Sequence, residues 1–188
     1  MLRPLLALLL LVGSLTVQAA PDPALVRQLA DASSSVKVAA IQKLAQTADP
    51  AVPAILKAMA EDVLFLAGDR VVIVADGKAL DAATGLAVPM PESPESITVN
   101  NRIRGELANA LAALSLFDPD SSVRLAAAQK LQNNVSASMA PLLARALEKE
   151  SDARIKALLV LAHAQANLGN EDPEARMAAV KALAETSS

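Results

Sequence analysis

Cysteine, tryptophan and tyrosine are absent from the 188 residues, histidine occurs once, and the only aromatic side chains are Phe65 and Phe117. Without cysteine there is neither a disulfide framework nor a thiolate ligand, so the fold rests on packing alone in any redox compartment. A zinc site needs several imidazole or thiolate ligands. The lone His163, set in Leu161-Ala162-His163-Ala164-Gln165, reads instead as an inter-helix packing or surface residue. No Gly-x-Ser-x-Gly elbow surrounds a serine and no glycine-rich phosphate loop with its lysine occurs, which removes the serine-hydrolase and P-loop chemistries. Nothing supplies a nucleophile, a base and an anion site together. We therefore read the chain as a non-enzyme and nominate no catalytic, cofactor-binding or metal residue. Basic residues number 17 against 20 acids and form no stripe, so nucleic acid is not the expected partner. After Val17 no stretch approaches the roughly 18 uninterrupted apolar residues that mark a membrane span.

What is present begins at the amino terminus. Met1 and Arg3 precede an apolar run from Leu5 to Val17 that ends at Val17-Gln18-Ala19, the three-part layout of a secretory signal peptide. As a helix, that run would rise only about 20 Å, short of a hydrocarbon core of about 30 Å. Residues 1–19 are accordingly expected to be removed, and the product exported to the periplasmic side of the inner membrane. Losing Arg3 leaves 16 basic residues against 20 acids, a formal charge of −4.

The remaining chain is rich in Ala and Leu, which suits closely packed helices. A ten-residue unit recurs without a gap: Ser35-Val36-Lys37-Val38-Ala39-Ala40-Ile41-Gln42-Lys43-Leu44 aligns with Ser122-Val123-Arg124-Leu125-Ala126-Ala127-Ala128-Gln129-Lys130-Leu131. Further copies start at Ala153 and Ala175. An acid precedes the basic residue by four positions in Asp120 and Arg124, Glu150 and Arg154, and Asp172 and Arg176, so helix capping and i,i+4 ion pairs are expected there. Following helices are predicted over Val52–Ala60 and Met139–Leu147. The pattern predicts an all-α, HEAT-like stack of helical repeats, with a first repeat over residues 20–62 and further repeats over 99–188.

The starts at Val36, Val123, Ala153 and Ala175 are separated by 87, 30 and 22 residues, so the first gap holds an insertion, assigned to residues 63–98. Val63-Leu64-Phe65-Leu66 and Val71-Val72-Ile73-Val74 read as two strands joined at Gly68-Asp69, with Asp76-Gly77 as a second turn. A further extended segment is available over Ala79–Gly85, and Pro89 to Pro94 reads as a loop. Helix resumes near Val99 and runs to about Leu116, with Arg102, Arg104 and Glu106 on its polar side. Asp69, Asp76 and Asp81 cluster around the hairpin, but their spacing is not that of a twelve-residue calcium loop, and Asp in Gly-rich turns is ordinarily a turn former. Arg102 and Arg104 are too few for membrane attachment, which usually takes four to eight basic residues. Asn134-Val135-Ser136 fits a glycosylation triplet, for which a loop is the simpler reading. Loops mounted on rigid scaffolds commonly carry recognition, which makes the inserted hairpin the best candidate for binding a partner.

Three stretches carry a resemblance: Arg70-Val71-Val72-Ile73, Leu80-Asp81-Ala82-Ala83-Thr84-Gly85, and Val99-Asn100-Asn101-Arg102-Ile103-Arg104 with the helix that follows. In these, and in the order of signal sequence, helical repeats and inserted hairpin, the chain resembles the permease subunit of urea-type ABC importers, of the branched-chain amino-acid permease group. The resemblance implies an extracytoplasmic extension placed before a bundle of membrane helices. It also implies a part in urea import alongside a second permease, ATPase subunits and a substrate-binding protein. The channel-forming portion has no counterpart here, so the chain is expected to be an amino-terminal fragment whose membrane attachment lies in a missing C-terminal permease portion. A free-standing periplasmic helical-repeat scaffold binding another protein is the alternative.

Overall fold

The computed structural model describes residues 20–47, 49–132 and 135–186; the expected signal peptide and Asn134 lie outside them. Eight α-helices are found among the described residues: α1 (Pro23–Arg27), α2 (Ser34–Thr47), α3 (Val52–Ala60), α4 (Asn101–Ser115), α5 (Ser121–Leu131), α6 (Ala140–Lys149), α7 (Ala153–Asn167) and α8 (Pro173–Thr186). The starts follow local chemistry. Asp22, Asn100, Asp120 and Asp152 lie just ahead of α1, α4, α5 and α7, and each side chain accepts a hydrogen bond from a backbone N–H of the first turn. Proline occupies the first turn of α1, α3 and α6, where a missing N–H costs nothing.

Packing is sequential. Among the longer helices, α2, α4, α5, α7 and α8 lie each against the next, while α3 packs on α4 and α2, and α6 packs on α7. Arg145 and Lys149 of α6 each place their cationic end 5.7 Å from the centre of the Phe117 ring, just past the end of α4. The core between these layers is aliphatic, with Leu29, Ile41, Leu44, Leu107, Leu131 and Leu143 fully buried. Alanines at Ala40, Ala110, Ala113, Ala128 and Ala162 are equally inaccessible, and their small side chains let the helix axes approach.

The chain is mostly helical rather than all-α, because the insertion is a sheet and not a lone hairpin. Strands β1 (Leu64–Ala67), β2 (Arg70–Ala75), β3 (Lys78–Asp81), β4 (Ala87–Val88) and β5 (Glu95–Ser96) form one antiparallel sheet in the order β4-β3-β2-β1-β5. The expected first turn is present, with Ala67 opposite Arg70 and Gly68 at a φ of 65°. In the second, Asp76 and Gly77 have φ of 52° and 71° between paired Ala75 and Lys78, the double positive φ that a type I′ hairpin demands. A β-branched residue cannot hold such a φ without strain, so Gly77→Val should destabilise the protein by about 1–3 kcal/mol. Thermal unfolding followed by circular dichroism measures this; an unchanged midpoint would mean that the sheet contributes nothing to the cooperative unit.

The expected i,i+4 ion pairs need correction. Asp120 caps α5, but Arg124 turns away from it and donates from Nη1 to the carbonyls of Asp118 (3.0 Å) and Pro119 (3.1 Å). Its other edge binds Glu150, with Nε to Oε2 at 2.8 Å and Nη2 to Oε1 at 3.2 Å. Glu150, engaged by α5, leaves Arg154 to pair with Asp152 at 3.1 Å. Arg176 likewise donates to the carbonyls of Asn170 and Glu171, both at 2.9 Å, while Asp172 accepts from the N–H of Glu174. In both arginines the guanidinium spans two carbonyls of the preceding turn, while the carboxylate four residues earlier accepts from the backbone N–H two residues beyond itself.

Candidate interaction surface

The sheet leaves the stack after α3 and returns at α4, and both of its attachment points are fastened. At the entrance Asp62 adopts a φ of 58°, and its two carboxylate oxygens accept from Nη2 of Arg104 at 3.2 and 2.9 Å. At the exit Lys37 of α2 is buried and donates from Nζ to the carbonyl of Thr98 at 2.9 Å. Burial lowers the pKa of this amine below the ordinary lysine value, a shift partly opposed by Asp31. Two residues further on, Asn100 donates to Oγ of Ser34 and accepts from the N–H of Ile103, so one side chain both caps α4 and ties it to α2. The insertion is thus held at both ends by side chains from α2 and the first turn of α4.

One face of the sheet belongs to the core. Leu64, Val71, Ala82 and Ala83 are buried with the helices. Across from α3 the sheet lines a cavity of about 340 Å³ bounded by Ile55, Ile73, Leu80 and Pro21, an apolar recess with few polar groups. The β3–β4 margin is open. Leu86 is 67% exposed and Met90 49% exposed, flanking the two-residue edge strand β4. Edge backbone with large apolar neighbours favours strand addition or apolar docking.

No family model, curated protein or solved structure matches this chain.

The residues weighed in the sequence are scattered. Asp69 and Asp76 stand exposed in separate turns. Asp81 is occupied locally, because one carboxylate oxygen accepts from the N–H groups of Ala83 and Thr84 and from Oγ1 of Thr84. Among the described residues no three His, Asp or Glu side chains gather as metal ligands. His163 is half-buried on α7, with Nε2 3.0 Å from Nδ2 of Asn167, and burial lowers its pKa from the ordinary value. Ser136 of the triplet faces Ser138, their hydroxyls 2.8 Å apart. Arg102 is exposed, whereas Arg104 is committed to Asp62. No helix among the described residues is long and apolar enough to cross a membrane. Sequence reasoning missed the roles of Lys37, Asp62 and the exposed Leu86 and Met90. Only the alignment of Lys37 with Arg124 offered a signal, since both copies use this position to reach a carbonyl.

Proposed function

We propose that the chain is an exported helical-repeat scaffold that docks a protein partner through its inserted sheet, and that it serves as the extracytoplasmic region of a urea importer's permease. The observation that carries the docking reading is the mounting of the sheet: α6 passes to α7 through residues 150–152, whereas α3 passes to α4 through residues 61–100. Both pairs pack directly, so the sheet is not needed to join the helices, yet its entrance and exit are fastened by Arg104 and Lys37.

The repeats take a simpler form than four separate copies. The order α2, α3, α4 is followed by α5, α6, α7, and in each set the first helix and the second both pair with the third. Val36 and Val123 are 87 residues apart, Val123 and Ala175 are 52 apart, and the surplus of 35 is close to the length assigned to the insertion, residues 63–98. We read the unit as three helices, with α8 opening the next one. The importer assignment is supported by the arrangement of the stretches that carry the resemblance. Arg70–Ile73 lies in β2, Leu80–Gly85 spans the end of β3 and its turn, and residues 99–104 lead from the insertion into the first turn of α4, so the three stretches lie in or directly beside the inserted element.

Two measurements test this. Leu86→Asp with Met90→Asp in the source cell's own locus should lower uptake of labelled urea severalfold, while leaving the melting temperature of the exported region nearly unchanged because both residues are exposed. Uptake that survives deletion of the whole locus sinks the importer reading. The native reading frame beyond Ser188 provides the second check. Several apolar stretches of about 20 residues would support the permease, and their absence would favour a free-standing periplasmic scaffold.

A further inference from the structure

The expected cleavage point, between Ala19 and Ala20, lies directly ahead of the packed chain. Ala20 is exposed, but Pro21 is buried and lines the recess with Ile55, Ile73 and Leu80. The next residues are fixed as well. Asp22 accepts from the N–H of Ala24 at 2.9 Å through its side chain and from that of Val26 at 3.0 Å through its carbonyl. Helix α1 then lies against α2 and β2, and Val26 and Leu29 join the buried core. Only Ala20 therefore separates the cleavage point from the fold. The residues that share the recess with Pro21 come from far downstream, Ile55 being 34 and Leu80 59 residues later in the chain.

We infer that leader removal and folding compete for this segment: the Ala19–Ala20 bond is open to a leader peptidase only until residues 21–30 dock, and a chain that folds first keeps its apolar leader. The reaction is a hydrolysis. Water breaks the Ala19–Ala20 amide, its hydroxyl completing a carboxyl on Ala19 and its hydrogen an amine on Ala20. A protease draws residues on both sides of the scissile bond into an extended cleft, so cutting the folded precursor requires Pro21 and the residues after it to leave the recess. Cleavage then tracks the small population in which they have left. Releasing Val26 and Leu29 returns two buried aliphatic side chains to water, which keeps that population low. Vectorial synthesis favours cleavage. At roughly 5–20 residues per second Leu80 follows Pro21 by about 3–12 s, an interval in which the recess does not yet exist. The inference rests on the export reading and not on urea import, so failure of the uptake experiment leaves it standing.

The test uses the full precursor, folded in detergent micelles and then mixed with a purified bacterial leader peptidase, the new amino terminus being read by mass spectrometry. A second precursor carries a Gly-Ser-Gly-Ser-Gly-Ser insert between Ala20 and Pro21, which moves the bond away from the recess without replacing a buried side chain. The native precursor is expected to be cut about a hundredfold more slowly than the spaced one. Peptides of residues 5–26 with and without the insert should be cut at equal rates, which assigns the difference to the fold and not to the residues beside the bond. Equal rates on the two folded precursors would overturn the inference, and so would a mature chain that begins beyond Pro21. If both peptides resist the enzyme, the leader assignment fails and this inference with it, whereas docking through the inserted sheet stands untouched.

Discussion

Leu131→Ala is expected to destabilise the protein by about 2–5 kcal/mol, because it removes a fully buried side chain and leaves a cavity that its surroundings cannot refill. Leu131 closes α5, and the residues sharing its buried face, Ala127 and Ala128, have no side-chain length with which to collapse into the space. The effect therefore belongs in the upper half of the range. Arg102→Ala, on the exposed side of α4, is the matched control and should stay within about 0.5 kcal/mol of the native chain. Chemical denaturation of both variants gives the comparison. Equal, small losses would mean that α5 does not present this face to the core, and the register linking it to α2 and α8 would fall with it.

Why that register could be read from sequence, while other features could not, follows from the range of each interaction. Caps act within three residues, so Asp120 announces α5, whereas the cap expected at Glu150 is supplied by Asp152 and α4 is capped by Asn100. The two-residue turns at Gly68-Asp69 and Asp76-Gly77 announce β1 to β3 in the same way. Strands β4 and β5 each hold two residues, around a proline-containing loop, and owe their existence to partners already in place. Residue spacing favours Asp120 as the partner of Arg124, being four positions away on the same helix. The actual partner, Glu150, is 26 positions away and is delivered by the packing of α6 on α7. Lys37 carries a charge that ordinarily keeps a side chain in water, and nothing local marks it for burial beneath Thr98. The three-helix unit proposed above is hard to read from sequence for a related reason. In an alanine-rich chain the start of α7 aligns with α5 as readily as α8 does, and the proposed unit is supported instead by the packing, in which α7 lies against α5 and α6 as α4 lies against α2 and α3.

Glu150→Ala is the second large effect expected, and it carries a pH signature of its own. The Glu150 side chain is 2% exposed, and its carboxylate accepts from Arg124 and from the N–H groups of Ser151 and Asp152. Truncation strands those two backbone donors at the start of α7, which costs on the order of 1–3 kcal/mol. It also leaves the Arg124 guanidinium half-paired beside α5. Because the ion pair is nearly buried, removing one partner should hurt more than replacing both, so Arg124→Met with Glu150→Leu is expected to be far less destabilising than the sum of the single losses. The hydrogen bonds from Arg124, reinforced by those two N–H groups, hold the Glu150 carboxyl at about 2, against an ordinary value of 4.5. The unfolded chain therefore binds more protons than the folded one between those values. The contribution is complete above 4.5 and is lost as the pH falls through the window towards 2. Asp152, held at about 2 chiefly by its hydrogen bond from Arg154, adds to the same acid slope. Glu150→Gln keeps the shape of the side chain and abolishes its titration, so its melting temperature should fall less steeply with acid than that of the native chain, without becoming flat while Asp152 remains. Parallel acid profiles for the two proteins would mean that Glu150 and Arg124 do not form this pair in solution, and the tie between α5 and the α6–α7 turn would have to be sought elsewhere.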